Sequence, residues 1–119
     1  MNKTIYVVED NDDIRELVQY LLEIEGYAVT GFPNATLFRT RILDALPDMF
    51  VLDVMLPDGN GIEICNQLKS DTSSQALPVL LMSANTNVAL VGSDSKADDF
   101  ISKPFDIDDF VKRVANLLN

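Results

Sequence analysis

Met49-Phe50-Val51-Leu52-Asp53-Val54-Met55-Leu56-Pro57-Asp58-Gly59-Asn60-Gly61 is the stretch that decides the fold of this chain. Four apolar residues run straight into a carboxylate, and Pro57, Gly59 and Gly61 forbid the strand from continuing. An apolar run this short predicts a strand buried on both faces, as in parallel sheets. Asp53 then stands at the carboxyl end of a central strand, the edge of an open α/β sheet where ligands bind. This placement makes Asp53 the candidate reactive group.

Working outward, Thr4-Ile5-Tyr6-Val7-Val8 predicts a second buried strand, ending on Glu9-Asp10. Ile14, Leu17, Val18, Leu21 and Leu22 fall at helical spacing among charged residues and predict an amphipathic helix. Asn11 or Asp12 can cap it, and Gly26 closes it. Residues 27–32 are more polar and predict an edge strand. Pro33 and Asn34 start a second helix reaching about Ala45, with Ala35, Leu37, Phe38, Ile42 and Leu46 facing inward. A third helix, from about Gly61 to Lys69, buries Ile62, Ile64, Cys65 and Leu68. Pro78-Val79-Leu80-Leu81-Met82 predicts a fourth buried strand that ends on Ser83-Ala84.

Residues 85–96 carry the weakest pattern. Val88, Ala89, Leu90 and Val91 predict a short fourth helix interrupted by Gly92, Ser93, Asp94 and Ser95. Asp99-Phe100-Ile101-Ser102 predicts a fifth strand leading into Lys103-Pro104. Asp106 caps a last helix with Ile107, Phe110, Val111, Val114, Leu117 and Leu118 inward. Five alternations of strand and helix imply an α/β, doubly wound, five-stranded parallel sheet with right-handed crossovers and helices on both faces.

With 119 residues, 47% of them hydrophobic, the expectation is one globular domain over residues 1–119. No apolar stretch approaches the roughly 20 residues of a membrane span, and Glu9 and Asp10 come too early for a signal peptide. A lone cysteine, Cys65, excludes an internal disulfide and reads as a small buried residue. A cytoplasmic location is expected. The formal net charge of −10 repels phosphate backbones, so direct binding of nucleic acid by this domain is not expected. Histidine is absent, which removes the commonest general base and transition-metal ligand. Chemistry must run on carboxylates, hydroxyls and lysine, and any metal is a hard one held by oxygen.

The polar residues fall at the strand ends: Glu9-Asp10 after the first, Asp53 on the third, Ser83 on the fourth, Lys103 after the fifth. An acid after a strand is more often a helix cap, and a Ser or a Lys-Pro there is usually loop. Several of them on one edge outweigh that ordinary reading. Three carboxylates brought together repel and push at least one pKa upward, so a cation belongs there. Oxygen ligands with open positions suit Mg²⁺, which joins protein to phosphate. Lys103 adds a mobile positive charge and Ser83 a hydroxyl donor, a combination built to receive a dianionic group.

Together these motifs resemble those of the response-regulator receiver domain, the phosphoacceptor of two-component signalling. The resemblance rests on Glu9-Asp10, on Asp53 through Gly61, on Ser83-Ala84 thirty positions after Asp53, and on Phe100-Ile101-Ser102-Lys103-Pro104-Phe105. It covers the whole chain and implies a flavodoxin-like strand order 2-1-3-4-5. It further implies that Asp53 accepts a phosphoryl group from the phosphohistidine of a sensor histidine kinase or phosphotransfer protein. Glu9, Asp10, Asp53 and the Met55 main-chain carbonyl would hold Mg²⁺, with Mn²⁺ as a substitute. Ser83, the Ala84 main-chain amide and Lys103 would bind the phosphoryl oxygens, and Ser83 with Phe100 would form the switch. The Lys103-Pro104 bond would be cis. Met55 and Asn85 would flank the approach of water without supplying a base, so slow loss of the phosphoryl group is expected. Such a chain assists its own phosphorylation and dephosphorylation but is not a turnover enzyme. It is expected as a monomer or a phosphorylation-dependent dimer, its output partner unnamed by the sequence.

The segment between Ser83 and Lys103 is slightly shorter than the family pattern, and Lys96 stands where glycine is usual, on the face expected to speak to partners. Three other readings fit the residues less well. A Mg²⁺-dependent aspartyl phosphatase needs an acid where Met55 stands. A flavin carrier needs a phosphate loop where Glu9-Asp10 would repel phosphate. A phosphorylation-independent docking module would make no use of the site residues that are present.

Overall fold

The computed structural model describes residues 2–84 and 95–119. The elements, in chain order, are β1 (Thr4–Val8), α1 (Asp12–Ile24), β2 (Ala28–Phe32), α2 (Ala35–Asp44), β3 (Met49–Asp53), β4 (Met55–Leu56), β5 (Gly59–Asn60), α3 (Gly61–Ser70), β6 (Val79–Ser83), β7 (Asp99–Ser102) and α4 (Ile107–Leu118). The expected short helix through Val88–Val91, and Asn85 with it, lie outside the described residues.

Five strands form one parallel sheet in the order β2-β1-β3-β6-β7. With the small β4–β5 hairpin set aside, this is the 2-1-3-4-5 order of the flavodoxin-like fold. At the hairpin the sequence predicts plain loop; instead Met55 pairs with Asn60 and Leu56 with Gly59, antiparallel.

Every residue of β3 and β6 is buried, which is why both read as unbroken apolar runs. Alternation divides them between two layers. Ile5, Val7, Met49, Val51, Leu80 and Met82 pack with Val18 and Leu22 of α1 and with Phe110 and Val114 of α4. Tyr6, Val8, Phe50, Leu52, Val79 and Leu81 pack with Phe38 of α2 and with Ile64, Cys65 and Leu68 of α3. The second layer holds a chain of edge-to-face rings from Phe32 through Tyr6, Phe50 and Phe38, with centroids 5.3 to 6.4 Å apart.

The helix starts are written in Asx residues. Asn11, Asn34, Asn60 and Asp106 each accept a hydrogen bond from a first-turn amide. Gly26, at φ 95°, ends α1 in the conformation that favours glycine. Three residues read as inward are instead exposed: Leu37, Leu46 and Ile107, at 52%, 38% and 47%. In α2 the buried stripe is Ala35, Phe38 and the half-buried Ile42, and Leu37 lies about 100° around the helix from Phe38. Leu46 falls beyond the end of α2, and Ile107, the first residue of α4, borders a groove against Leu21 and Ile24 of α1.

Candidate functional site

Strand register brings the polar residues together. Val8 pairs with Leu52, so Glu9 and Asp53 are the next residues of neighbouring strands. Both continue the face that carries Val7 and Val51. Asp53 pairs in turn with Met82, Ser83 pairs with Ser102, and the Lys103 amide donates to the Ser83 carbonyl at 2.8 Å. Glu9, Asp53 and Ser83 are all buried, at 1%, 3% and 7% exposure, whereas Asp10 is open to solvent.

Lys103 is the hub. Its ammonium bonds Glu9 Oε1 and stands 3.3 Å from Asp53 Oδ2. Glu9 Oε2 accepts the Asn11 amide at 3.1 Å, and Arg15 Nη1 donates to the Glu9 carbonyl at 2.8 Å. Among the described residues Asp53 Oδ1 is buried with no hydrogen-bond partner. A buried acceptor without a donor is costly and calls for an explanation.

The electrostatics follow from this crowding. Burial pushes the Asp53 carboxyl up from its ordinary 3.8 to about 6; the Glu9 charge adds to the rise and Lys103 opposes it. Burial acts on Glu9 in the same sense, but the bonds from Lys103 and the Asn11 amide outweigh it and hold Glu9 below its ordinary 4.5. Glu9, Asp10 and Asp53 each offer a carboxylate oxygen, and these oxygens lie within 4.8 Å of one another. An all-oxygen set with one exposed member and one unpaired buried oxygen fits a hard divalent cation. Met55 stands in β4 with its main chain paired to Asn60 and its side chain exposed.

Ser83 and Phe100 share the other face of the sheet. Phe100 pairs with Leu81, Ser83 with Ser102, and all four continue the layer of Val79. The Phe100 ring is half-buried against that layer. Its carbonyl accepts Arg113 Nη1 at 3.0 Å, and Arg113 also bonds Asp99 at 2.9 Å and Asp109 at 3.1 Å, tying β7 to α4. Ala84 is exposed just past β6, and the Lys103–Pro104 bond is cis. Cys65 is buried as expected, and burial pushes its thiol up to about 11, which leaves it unreactive.

Asp58 lies in the turn between β4 and β5. Its carboxylate accepts the Ala35 and Thr36 amides at 2.8 and 2.9 Å and the Thr36 hydroxyl at 2.5 Å. The contact spans 22 to 23 residues, and no local pattern distinguishes it from an ordinary turn aspartate.

The chain belongs to the response regulator receiver domain family, whose model matches residues 5–115. It is 36% identical over 118 residues to the transcriptional regulatory protein CreB of Escherichia coli, a match covering 98% of this chain and 51% of CreB. The BeF3-activated receiver domain of DrrB, from Thermotoga maritima, superposes with a TM-score of 0.87 at 31% identity, covering 99% of this chain and 98% of that one. The receiver domain of a signal transduction histidine kinase from Syntrophus aciditrophicus gives a TM-score of 0.91 at 27% identity, covering 98% and 89%. The chain spans about half the length of the curated relatives it matches. Among the described residues no helix is long and apolar enough to cross a membrane.

Proposed function

We propose that Asp53 accepts a phosphoryl group from the phosphohistidine of a sensor histidine kinase or a phosphotransfer protein. The observation that carries this reading is Asp53 Oδ1, buried and unpaired at a strand end while its sister oxygen faces Lys103. A carboxylate with one oxygen facing Lys103 and one open to a cation can accept phosphorus on one oxygen while the other stays with the metal. As the new O–P bond forms, the P–N bond to histidine breaks and its electron pair returns to the imidazole.

Mg²⁺, or Mn²⁺ in its place, would be held by Glu9, Asp10, Asp53 and the Met55 main-chain carbonyl, and would offset the charge of carboxylates and phosphoryl oxygens. Lys103, already beside Asp53, is the residue to bind a phosphoryl oxygen, with the Ser83 hydroxyl and the Ala84 amide as further donors. Acceptance replaces the single charge of the carboxylate with a phosphoryl group of about −1.5 to −2, a net gain of up to about one negative charge at the strand end. Ser83 moves toward that charge, and Phe100, on the same face of the sheet, follows it. This biases the β7–α4 side of the molecule toward a second arrangement that an output partner reads. CreB is a transcriptional regulatory protein about twice the length of the matched region, so control of transcription is the output that this reading favours.

Incubation with Mg²⁺ and acetyl phosphate, followed by intact mass, tests the acceptor. The expected result is a gain of one phosphoryl group that EDTA or Asp53→Asn abolishes. Wild-type protein that gains nothing would overturn the proposal and leave the fold as a docking module.

A further inference from the structure

We infer that Asp58 is a positioning residue, a latch that holds the chain after Asp53 in place by fastening it to the start of α2. The inference rests on the reading of Asp53 as acceptor with a divalent cation, and deepens it. Two observations meet here. The first is the three hydrogen bonds from Ala35 and Thr36 to the Asp58 carboxylate, which place an acid from the hairpin on the amide end of a helix 22 to 23 residues earlier. That end already has its own cap, since Asn34 Oδ1 accepts the Leu37 amide at 2.9 Å. Asp58 therefore satisfies a different pair of amides and ties a second element to them.

The second observation is that the hairpin is closed against Asp53. The Gly61 amide donates to the Val54 carbonyl at 2.8 Å, and a Cβ on Gly61 would lie 2.2 Å from the Asp53 carbonyl oxygen. Asn60 Oδ1 accepts the Ile62 amide at 2.8 Å, so the same turn also starts α3. A Cβ on Gly59 would lie 3.3 Å from the Ala35 Cβ, which shows how closely the hairpin tip rests on α2. Asp53 through Gly61 is thus one closed loop, fixed to the sheet at one end and to α2 at the tip. Releasing Asp58 frees the tip, and the backbone of Val54 and Met55, between the two anchors, loses one of them.

An ordinary cap and a latch make different predictions. Asn34→Ala removes a cap from α2 without touching the hairpin, whereas Asp58→Ala removes a cap and the tether together. In metal-free protein, exchange of the Gly61 amide should quicken about ten-fold in Asp58→Ala. It should stay near the wild-type rate in Asn34→Ala. By calorimetry, Asp58→Ala should weaken Mg²⁺ binding about five-fold or more, with Asn34→Ala unchanged. Asp58→Asn, which keeps an acceptor oxygen, should fall between and covers the case in which the alanine variant does not fold. Equal exchange in the Asp58 and Asn34 variants would reduce Asp58 to a helix cap and overturn the latch. Wild-type protein that does not bind Mg²⁺ would instead overturn the cation reading, while the exchange comparison still decides the latch.

Discussion

At the scale of single residues, Asp53 sits in a conflict that the fold maintains. Burial and the charge of Glu9 favour its neutral form, and Lys103 opposes them. Because its carboxyl is pushed up from 3.8 to about 6, the fold binds a proton that the unfolded chain has released. The stability linked to that proton is fully present below about pH 3.8 and is lost as pH rises through about 6. That loss is on the order of a few kcal/mol at alkaline pH. Glu9, held below its ordinary value, works in the opposite sense, its contribution being lost only as pH falls through that lowered value. Asp53→Asn keeps the shape and removes the charge. In EDTA it should melt above the wild type at pH 8, by an amount that shrinks toward pH 4.5. A gap independent of pH would show that the carboxylate is not the source. The residues of this conflict were legible in the sequence because each ends a strand, and parallel strands end on one edge. The role of Asp58 was not, because its partners lie across the fold and turn aspartates are common.

At the scale of elements, legibility tracked the amount of pattern each segment carries. Runs such as Val79–Met82 and caps such as Asn11, Asn34 and Asp106 are local signals, and those elements fell where expected. The β4–β5 hairpin has two residues in each strand, too few for any periodicity, and Pro57 with two glycines reads as loop. The inward face of α2 was blurred because Leu37 and Leu43 are apolar yet exposed, as is Leu46 just past its end. The hairpin yields a sharp prediction at Gly61. A methyl there would press on the carbonyl of Asp53 itself, a backbone atom that cannot swing aside. Gly61→Ala should cost about 1–3 kcal/mol in urea unfolding and slow acceptance from acetyl phosphate as well. Gly59→Ala, whose nearest contact is the Ala35 methyl at 3.3 Å, should be milder on both counts. Equal losses in the two variants would mean that the approach to Asp53 is not what requires glycine.

At the scale of the molecule, the formal charge of −10 raises a question that the site alone cannot answer. Any cation screens such a surface, so stabilisation by Mg²⁺ is not by itself evidence of a site. The two effects differ in what they depend on. Screening depends on ionic strength and is shared by every variant of similar charge. The proposed binding at Glu9, Asp10 and Asp53 would depend on Asp53, whose unpaired oxygen and raised proton affinity both suit a cation. A ligand at about 100 times its dissociation constant stabilises the fold by about 2.7 kcal/mol. For a domain of this size that is a rise in Tm on the order of 10 °C. At pH 8 the wild type should therefore gain far more from Mg²⁺ than from NaCl of matched ionic strength. Asp53→Asn, starting higher in EDTA, should gain about the same from either salt, so that the order of the two proteins narrows or reverses once Mg²⁺ is present. Melting curves of both proteins in the three buffers decide it: parallel gains would assign the effect to screening, and a gain confined to the wild type would assign it to the carboxylates at the strand ends.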